Sequence, residues 1–302
     1  MEKKFNQYVR KVKLSASRLC WSLLKLPADF YTHAGKKYVC VIFFPGLGEK
    51  GSPDNPNDAA KLLTHSPSGF VNEGKDFVIS HPVTGEKEDM IIISIQHDGD
   101  VISPAQLDYC IQTDDLLKDR VKARFITGLS QGGAITTQYM RRSLVHYIEK
   151  LSIAGLIPMS PFKHGANVDW FPADKNVWGA FNATNTPVFA FCGANDGGFT
   201  TFTKEIQANV KTPDTAVVIR DGIAHAGWKD QYNPDKKWLT INHMGVSKSL
   251  NIYEWMLYVM PPAAVVEPAF TLDSLMVSVD GPAIVKDTVI KAGPVQIYYK
   301  VK

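Results

Sequence analysis

A serine stands between two glycines in Gly128-Leu129-Ser130-Gln131-Gly132, directly after the apolar run at 124–129. A serine hydroxyl is a poor nucleophile at neutral pH. It attacks a carbonyl carbon when an imidazole takes its proton and a carboxylate fixes and stabilises that imidazole. Both groups follow in the chain: Asp196 after the run at 187–193, and His225 after the run at 216–222. A chain of this length contains Gly-x-Ser-x-Gly by chance roughly one time in ten, so context must decide. Taken singly, Asp196 reads as a turn residue in Asn195-Asp196-Gly197-Gly198, and His225 as a surface histidine. Taken together, they follow the order serine, acid, base, each at the end of a strand-like run, as a strand–turn–helix nucleophile elbow requires. The chemistry this predicts is acyl transfer, with Ser130, Asp196 and His225 as nucleophile, acid and base.

A further piece follows the run at 38–44, in Pro45-Gly46-Leu47-Gly48-Glu49. Its glycines free the backbone, so the Leu47 N–H can face a developing oxyanion beside the N–H of Gln131. Such donors are worth about 3 kcal/mol each in a transition state. Candidate substrate contacts are Gly46 in that loop, His97 at the end of the run at 90–96, and Trp228 and Trp238 beyond His225. Trp170 and Trp178 are further wall candidates, and His243 reads as a surface histidine. His97, Asp98 and Asp100 share one loop, but they read as solvated polar residues, and no metal is expected.

The elements that must position these groups are legible as short apolar runs at 38–44, 90–96, 124–129, 153–159, 187–193 and 216–222. Near-continuous apolar strands suit a parallel sheet covered on both faces. Helical patterns lie between them, at 104–120, 132–150, 200–211 and 249–260. The expected fold class is therefore α/β, a mostly parallel doubly wound sheet, with ligands beyond the carboxyl ends of its strands. The stretch at 4–27 alternates enough to give two N-terminal antiparallel edge strands. Residues 1–260 form the expected catalytic domain. Residues 261–302 read as a proline-rich linker and a small β extension, expected to dock on that domain or to pair with another chain.

The whole chain has 302 residues, 45% hydrophobic and 21% charged, with a formal net charge of +3. That composition is globular and gives no reason to expect nucleic acid or an anionic membrane as partner. The N-terminus is basic but lacks the apolar core of a secretory signal. A cytoplasmic setting is the default expectation, with release by lysis or in a virion as the other routes. Cys20, Cys40, Cys110 and Cys192 are widely spaced and show no metal-binding pattern, so they read as buried free thiols.

The segments KKYVCVIFFPGLGEKG, FVNEGKDF, IISIQ, RFITGLSQGGAITTQY, FCGANDGG and IAHAGWKDQY resemble the α/β-hydrolase esterases related to polyhydroxybutyrate depolymerases and feruloyl or acetyl esterases. The resemblance spans residues 22–260 in order and spacing. It implies an α/β-hydrolase fold and serine carboxylic-ester hydrolysis without metal or organic cofactor. It carries the nucleophile to Ser130, the acid to Asp196, the base to His225, and the oxyanion donors to Leu47 and Gln131. Pro45 stands where such proteins usually have histidine, and Gln131 where they often have methionine. The segment 233–249 is long for the link to the last helix, and is expected to form a lid or one wall of the acyl pocket.

The implied substrates are short acyl or aromatic esters, as small molecules or borne on a polysaccharide. A competing expectation is a structural or binding subunit of a larger assembly, such as a virion component, on a hydrolase scaffold. A peptidase of the same fold is a third.

Overall fold

The computed structural model describes residues 2–4, 6–162, 176–243 and 246–260. The expected linker and β extension at 261–302, and Trp170, lie outside the described residues, as does the side chain of His243.

In chain order the elements are β1 (Glu2–Lys4), β2 (Gln7–Lys13), β3 (Leu19–Lys25), β4 (Tyr38–Phe44), α1 (Pro67–Asn72), β5 (Val78–Ser80), β6 (Lys87–Asp89), β7 (Ile91–Ile95), α2 (Pro104–Gln112), β8 (Val121–Leu129), α3 (Gln131–Thr137) and α4 (Tyr147–Lys150). They continue with β9 (Ile153–Met159), α5 (Asn176–Asn182), β10 (Phe189–Gly193), α6 (Gly198–Asn209), β11 (Ala216–Arg220), α7 (Trp228–Gln231), β12 (Leu239–His243), β13 (Val246–Leu250) and α8 (Ile252–Val259).

Nine strands form one sheet in the order β1-β2-β3-β7-β4-β8-β9-β10-β11. The pairs from β1 through β3 to β7 are antiparallel, and every pair from β7 to β11 is parallel. The N-terminal flank thus has three antiparallel strands where two are expected. The chain steps from β4 outward to β7, then returns past β4 to β8. That crossover leaves the carboxyl ends of β4 and β8 side by side, with Phe44 paired to Gly128. The loop at 45–51 is thereby set beside the turn at Ser130.

The apolar runs form strands because both faces are covered. In β4, Tyr38, Cys40, Ile42 and Phe44 join a core with Leu107 and Ile111 of α2, Ile135 of α3 and Ile206 of α6. Val39, Val41 and Phe43 face the other way, against Phe70 of α1 and Trp255 and Met256 of α8. Each such side chain contributes about 1.5–3 kcal/mol when fully buried.

Helix α2 opens on a capping box between Ser103 and Gln106, with Pro104 in its first turn. It stops at Gln112, well short of the expected end near 120. Asp114 turns the chain there, its carboxylate accepting from the Leu116 N–H at 3.0 Å. The expected helix at 132–150 is also divided, into α3, a 3-10 turn at Gln138–Met140, and α4. Within α3 the Thr136 and Thr137 hydroxyls bond back to the carbonyls of Gly132 and Ala134 (2.9 and 3.1 Å), and such bonds compete with a continuing helix.

The segment at 233–249 leads into the hairpin β12–β13, whose Trp238, Leu239 and Ile241 pack against the second core. All four cysteines are buried free thiols. Among the described residues, no helix is long and apolar enough to cross a membrane.

Candidate active site

Strand β8 delivers the chain to Ser130, whose backbone turns sharply to φ 52°, ψ −113° before α3 begins. A non-glycine residue at positive φ costs on the order of 1–3 kcal/mol. Here it is held on both sides. The Ser130 N–H donates to the Met159 carbonyl, and the Ser130 carbonyl accepts from the Ala134 N–H, each at 2.9 Å. The turn also needs Gly132, because a Cβ there would lie 1.9 Å from the Phe44 carbonyl oxygen. Only a bare backbone lets α3 pack this closely on β4.

Ser130 Oγ lies 3.0 Å from His225 Nε2. On the far side of the ring, His225 Nδ1 lies 2.9 and 3.1 Å from the two carboxylate oxygens of Asp196. The Asp196 side chain is 2% exposed, whereas that of His225 is 37% exposed. The carboxylate is thus sealed from solvent while the imidazole stays open to it. Because the carboxylate only accepts, Nδ1 carries a hydrogen, and Nε2 is free to take the serine proton.

Three side chains fix this pair. The His225 ring lies against Phe199 of α6, centroids 4.3 Å apart and tilted by 34°. Trp228 of α7 meets it edge-on, at 4.6 Å and 83°. The Trp228 indole N–H is itself anchored on the buried Ser160 hydroxyl at 3.0 Å. The third is Cys192, at the end of β10, whose thiol donates to Asp196 Oδ2 at 3.4 Å. Burial pushes this thiol up to about 11, so it remains a protonated donor at neutral pH.

On the opposite side of Ser130 runs the loop at 45–51. A Cβ on Gly46 would lie 3.6 Å from the Ser130 Cβ and 2.7 Å from Leu129 Cδ1, so this backbone passes directly beside Ser130. Leu47 opens a 3-10 turn, Leu47–Glu49, and its side chain is turned out, the residue being 52% exposed. Gln131 is the first residue of α3, and the first amides of a helix have no partner within it. The Gln131 side chain bonds the Gly99 carbonyl at 2.5 Å.

The other sequence candidates divide. Trp228 joins the site through His225. Trp238 bonds the Asp230 carbonyl at 3.2 Å and lies under the Arg220 guanidinium at 5.0 Å, contacts that seat it beside the β12–β13 hairpin. Trp178 packs against the first core. His97, expected as a substrate contact, is instead fully buried, with both ring nitrogens engaged by backbone, and it faces the loop at 45–51. Asp98 is held by Arg18, whose guanidinium keeps the carboxyl below its ordinary value against the opposing effect of burial.

Phe199 and Cys192 were not among the sequence candidates. Phe199 carries no sequence signal beyond its place three residues after Asp196. Cys192 was legible only as a buried thiol, although it lies four residues before the acid at the same strand end.

The sheet order, the strained elbow and the chain order Ser130, Asp196, His225 define a protein of the α/β-hydrolase fold, in which Ser130, His225 and Asp196 are hydrogen-bonded in a row. The sequence matches no family model and no curated protein.

Among solved structures, the chain is similar to a ferulic acid esterase, with a TM-score of 0.48 and 19% identity over 76% of this chain and 94% of that one. It is similar to S-formylglutathione hydrolase from Staphylococcus aureus, with a TM-score of 0.46 and 12% identity over 75% of this chain and 94% of that one. It is also similar to a thermostable esterase, with a TM-score of 0.45 and 16% identity over 75% of this chain. That likeness spans 60% of the thermostable esterase.

Proposed function

We propose that this protein is a serine carboxylic-ester hydrolase working through an acyl-enzyme. The observation that carries the reading is the unbroken relay Ser130 Oγ–His225 Nε2 at 3.0 Å and His225 Nδ1–Asp196 at 2.9 Å, mounted on the strained turn at Ser130.

As Ser130 Oγ attacks the ester carbonyl carbon, His225 Nε2 takes its proton and Asp196 stabilises the imidazolium. The carbonyl oxygen becomes an oxyanion held by the Leu47 and Gln131 amides. Collapse of this intermediate breaks the bond to the alcohol oxygen, and His225 returns its proton to that leaving group. Water then attacks the acyl-serine with His225 again as base, which releases the acid and frees Ser130.

The aromatic surround of His225, with Phe199 and Trp228 on the ring and Phe162 edge-on to Phe199 at 5.6 Å, supports short acyl or aromatic esters, including those carried on carbohydrate.

The test is hydrolysis of p-nitrophenyl acetate and butyrate by the wild type and Ser130→Ala, with a fluorophosphonate label located by mass spectrometry. The expected result is a fall in kcat of about 10⁶, to the detection floor, and loss of the label from the peptide containing residue 130. A folded wild type that neither turns over nor takes the label would overturn this reading, in favour of a binding subunit on a hydrolase scaffold.

A further inference from the structure

We propose that His97 is the positioning residue of the oxyanion loop, holding the Pro45–Gly46 peptide so that the Leu47 amide faces the reacting carbonyl. The inference rests on the ester-hydrolase reading above. Its observations are the contacts between the segment at 96–99 and the loop at 45–51.

His97 follows β7 by two residues and is completely buried. Its Nε2 lies 3.1 Å from the Pro45 carbonyl oxygen. That oxygen only accepts, so Nε2 carries the hydrogen. Its Nδ1 lies 3.2 Å from the Gly99 nitrogen, and that N–H donates to it. The two bonds together select the neutral Nε2–H tautomer, because a doubly protonated ring would point a donor at the Gly99 donor. Burial works in the same direction, holding the imidazole below its ordinary value.

The neighbours of His97 complete the clasp. The Gln96 side-chain amide donates to the Glu49 carbonyl at 2.8 Å, and the Gly51 N–H donates to the His97 carbonyl at 3.0 Å. The loop is therefore tied at Pro45, at Glu49 and at Gly51. Between these ties, Gly46 and Leu47 run past Ser130. A peptide unit is planar, so fixing the Pro45 oxygen fixes the plane shared with the Gly46 nitrogen. The next plane, which carries the Leu47 N–H, is held at its own oxygen, because the Gly46 carbonyl accepts from the Glu49 N–H at 3.2 Å. Pro45 has no N–H of its own, so this carbonyl is the residue's one main-chain hydrogen-bonding group.

Asparagine and glutamine separate the two ring nitrogens of histidine. The asparagine side-chain oxygen occupies the place of Nδ1 and keeps the bond from Gly99, but it does not reach Pro45. The glutamine amide nitrogen occupies the place of Nε2 and keeps the bond to Pro45. Both variants are compared with the wild type in kcat and KM for p-nitrophenyl acetate and in amide hydrogen exchange of residues 46–51.

The expected result for His97→Asn is a fall in kcat of about a hundredfold with KM unchanged, and faster exchange confined to residues 46–51. His97→Gln recovers most of the rate and the slow exchange. Equal behaviour of the two variants would overturn the proposal. So would loss of protection across the whole sheet in step with the rate, or failure of both variants to fold, since either makes His97 a core residue only. If the wild type shows no Ser130-dependent turnover, the ester-hydrolase reading fails by itself. The exchange contrast between asparagine and glutamine then still decides whether His97 tethers the loop.

Discussion

The two flanks of Ser130 are built from different materials. On the loop flank, the groups proposed to hold the oxyanion are main-chain amides at Leu47 and Gln131, and side chains bond the main chain behind them: His97 on Pro45, Gln96 on Glu49 and Gln131 on Gly99. On the triad flank, the groups proposed to work are the side chains of Asp196 and His225, and other side chains contact them: Phe199, Trp228 and Cys192. An amide N–H is present in every residue type but proline, so the loop flank constrains conformation more than identity. A carboxylate or an imidazole has no such substitute. The triad flank should therefore be the more sensitive to side-chain chemistry, and the loop flank to changes in the main chain itself.

The largest test of this contrast within the relay is Asp196→Asn. The carboxylate accepts from His225 Nδ1 at 2.9 Å. An asparagine of the same shape can present its NH₂ there instead, which favours the tautomer whose Nε2 already carries a hydrogen and cannot take the serine proton. The expected loss in kcat is about 10⁴, with an unchanged melting temperature. A loss below about tenfold, measured in steady state with the active-site concentration set by burst titration, would mean that His225 does not depend on Asp196 for its tautomer.

Legibility in the sequence divides along the same line. Groups proposed for chemistry left signals: Ser130, Asp196 and His225 follow β8, β10 and β11, of which β8 and β10 are apolar runs buried on both faces and β11 is a half-buried edge strand. Groups used to hold others left almost none. His97 looked like a polar loop residue available to substrate. Its burial comes from the crossover that sets β7 beside β4, which no local pattern announces. Cys192 looked like core because it is core, and its bond to Asp196 depends on how the turn at 194–197 doubles back. The long helices expected at 104–120 and 132–150 failed for local reasons of a finer grain, the turn at Asp114 and the threonine back-bonds of α3.

On the loop flank, the matching test removes a main-chain donor and leaves the fold alone. Leu47 is the first residue of its 3-10 turn, where proline is accepted, and Gly46 before it is extended, at φ −73°, ψ 174°, as a residue preceding proline should be. Leu47→Pro therefore deletes one N–H at a position suited to the ring. The expected fall in kcat is about 10²–10³ with KM little changed. A Leu47→Pro enzyme that keeps wild-type kcat would take the Leu47 amide out of the oxyanion site and reduce the loop flank to a wall.

The smallest effect separates gripping from packing on the triad flank. Among the described residues, the hydrogen bonds to the Asp196 carboxylate come from His225 and from the Cys192 thiol. A thiol is a weak donor, so its removal should cost little: Cys192→Ala is expected to lower kcat only about threefold to tenfold. Serine is close to alanine in volume but restores a donor. If the grip is a hydrogen bond, Cys192→Ser recovers activity that Cys192→Ala loses. The two variants should then move the low-field proton resonance of His225 Nδ1–H in opposite directions from the wild type. A stronger donor on Oδ2 draws charge from the carboxylate and weakens its hold on that proton, whereas a missing donor strengthens it. If the two variants lose activity equally and shift the resonance alike, Cys192 only fills space beneath the acid. The orientation of Asp196 would then rest on the turn at 194–197, and this end of the triad flank would be held by main chain, as the loop flank is.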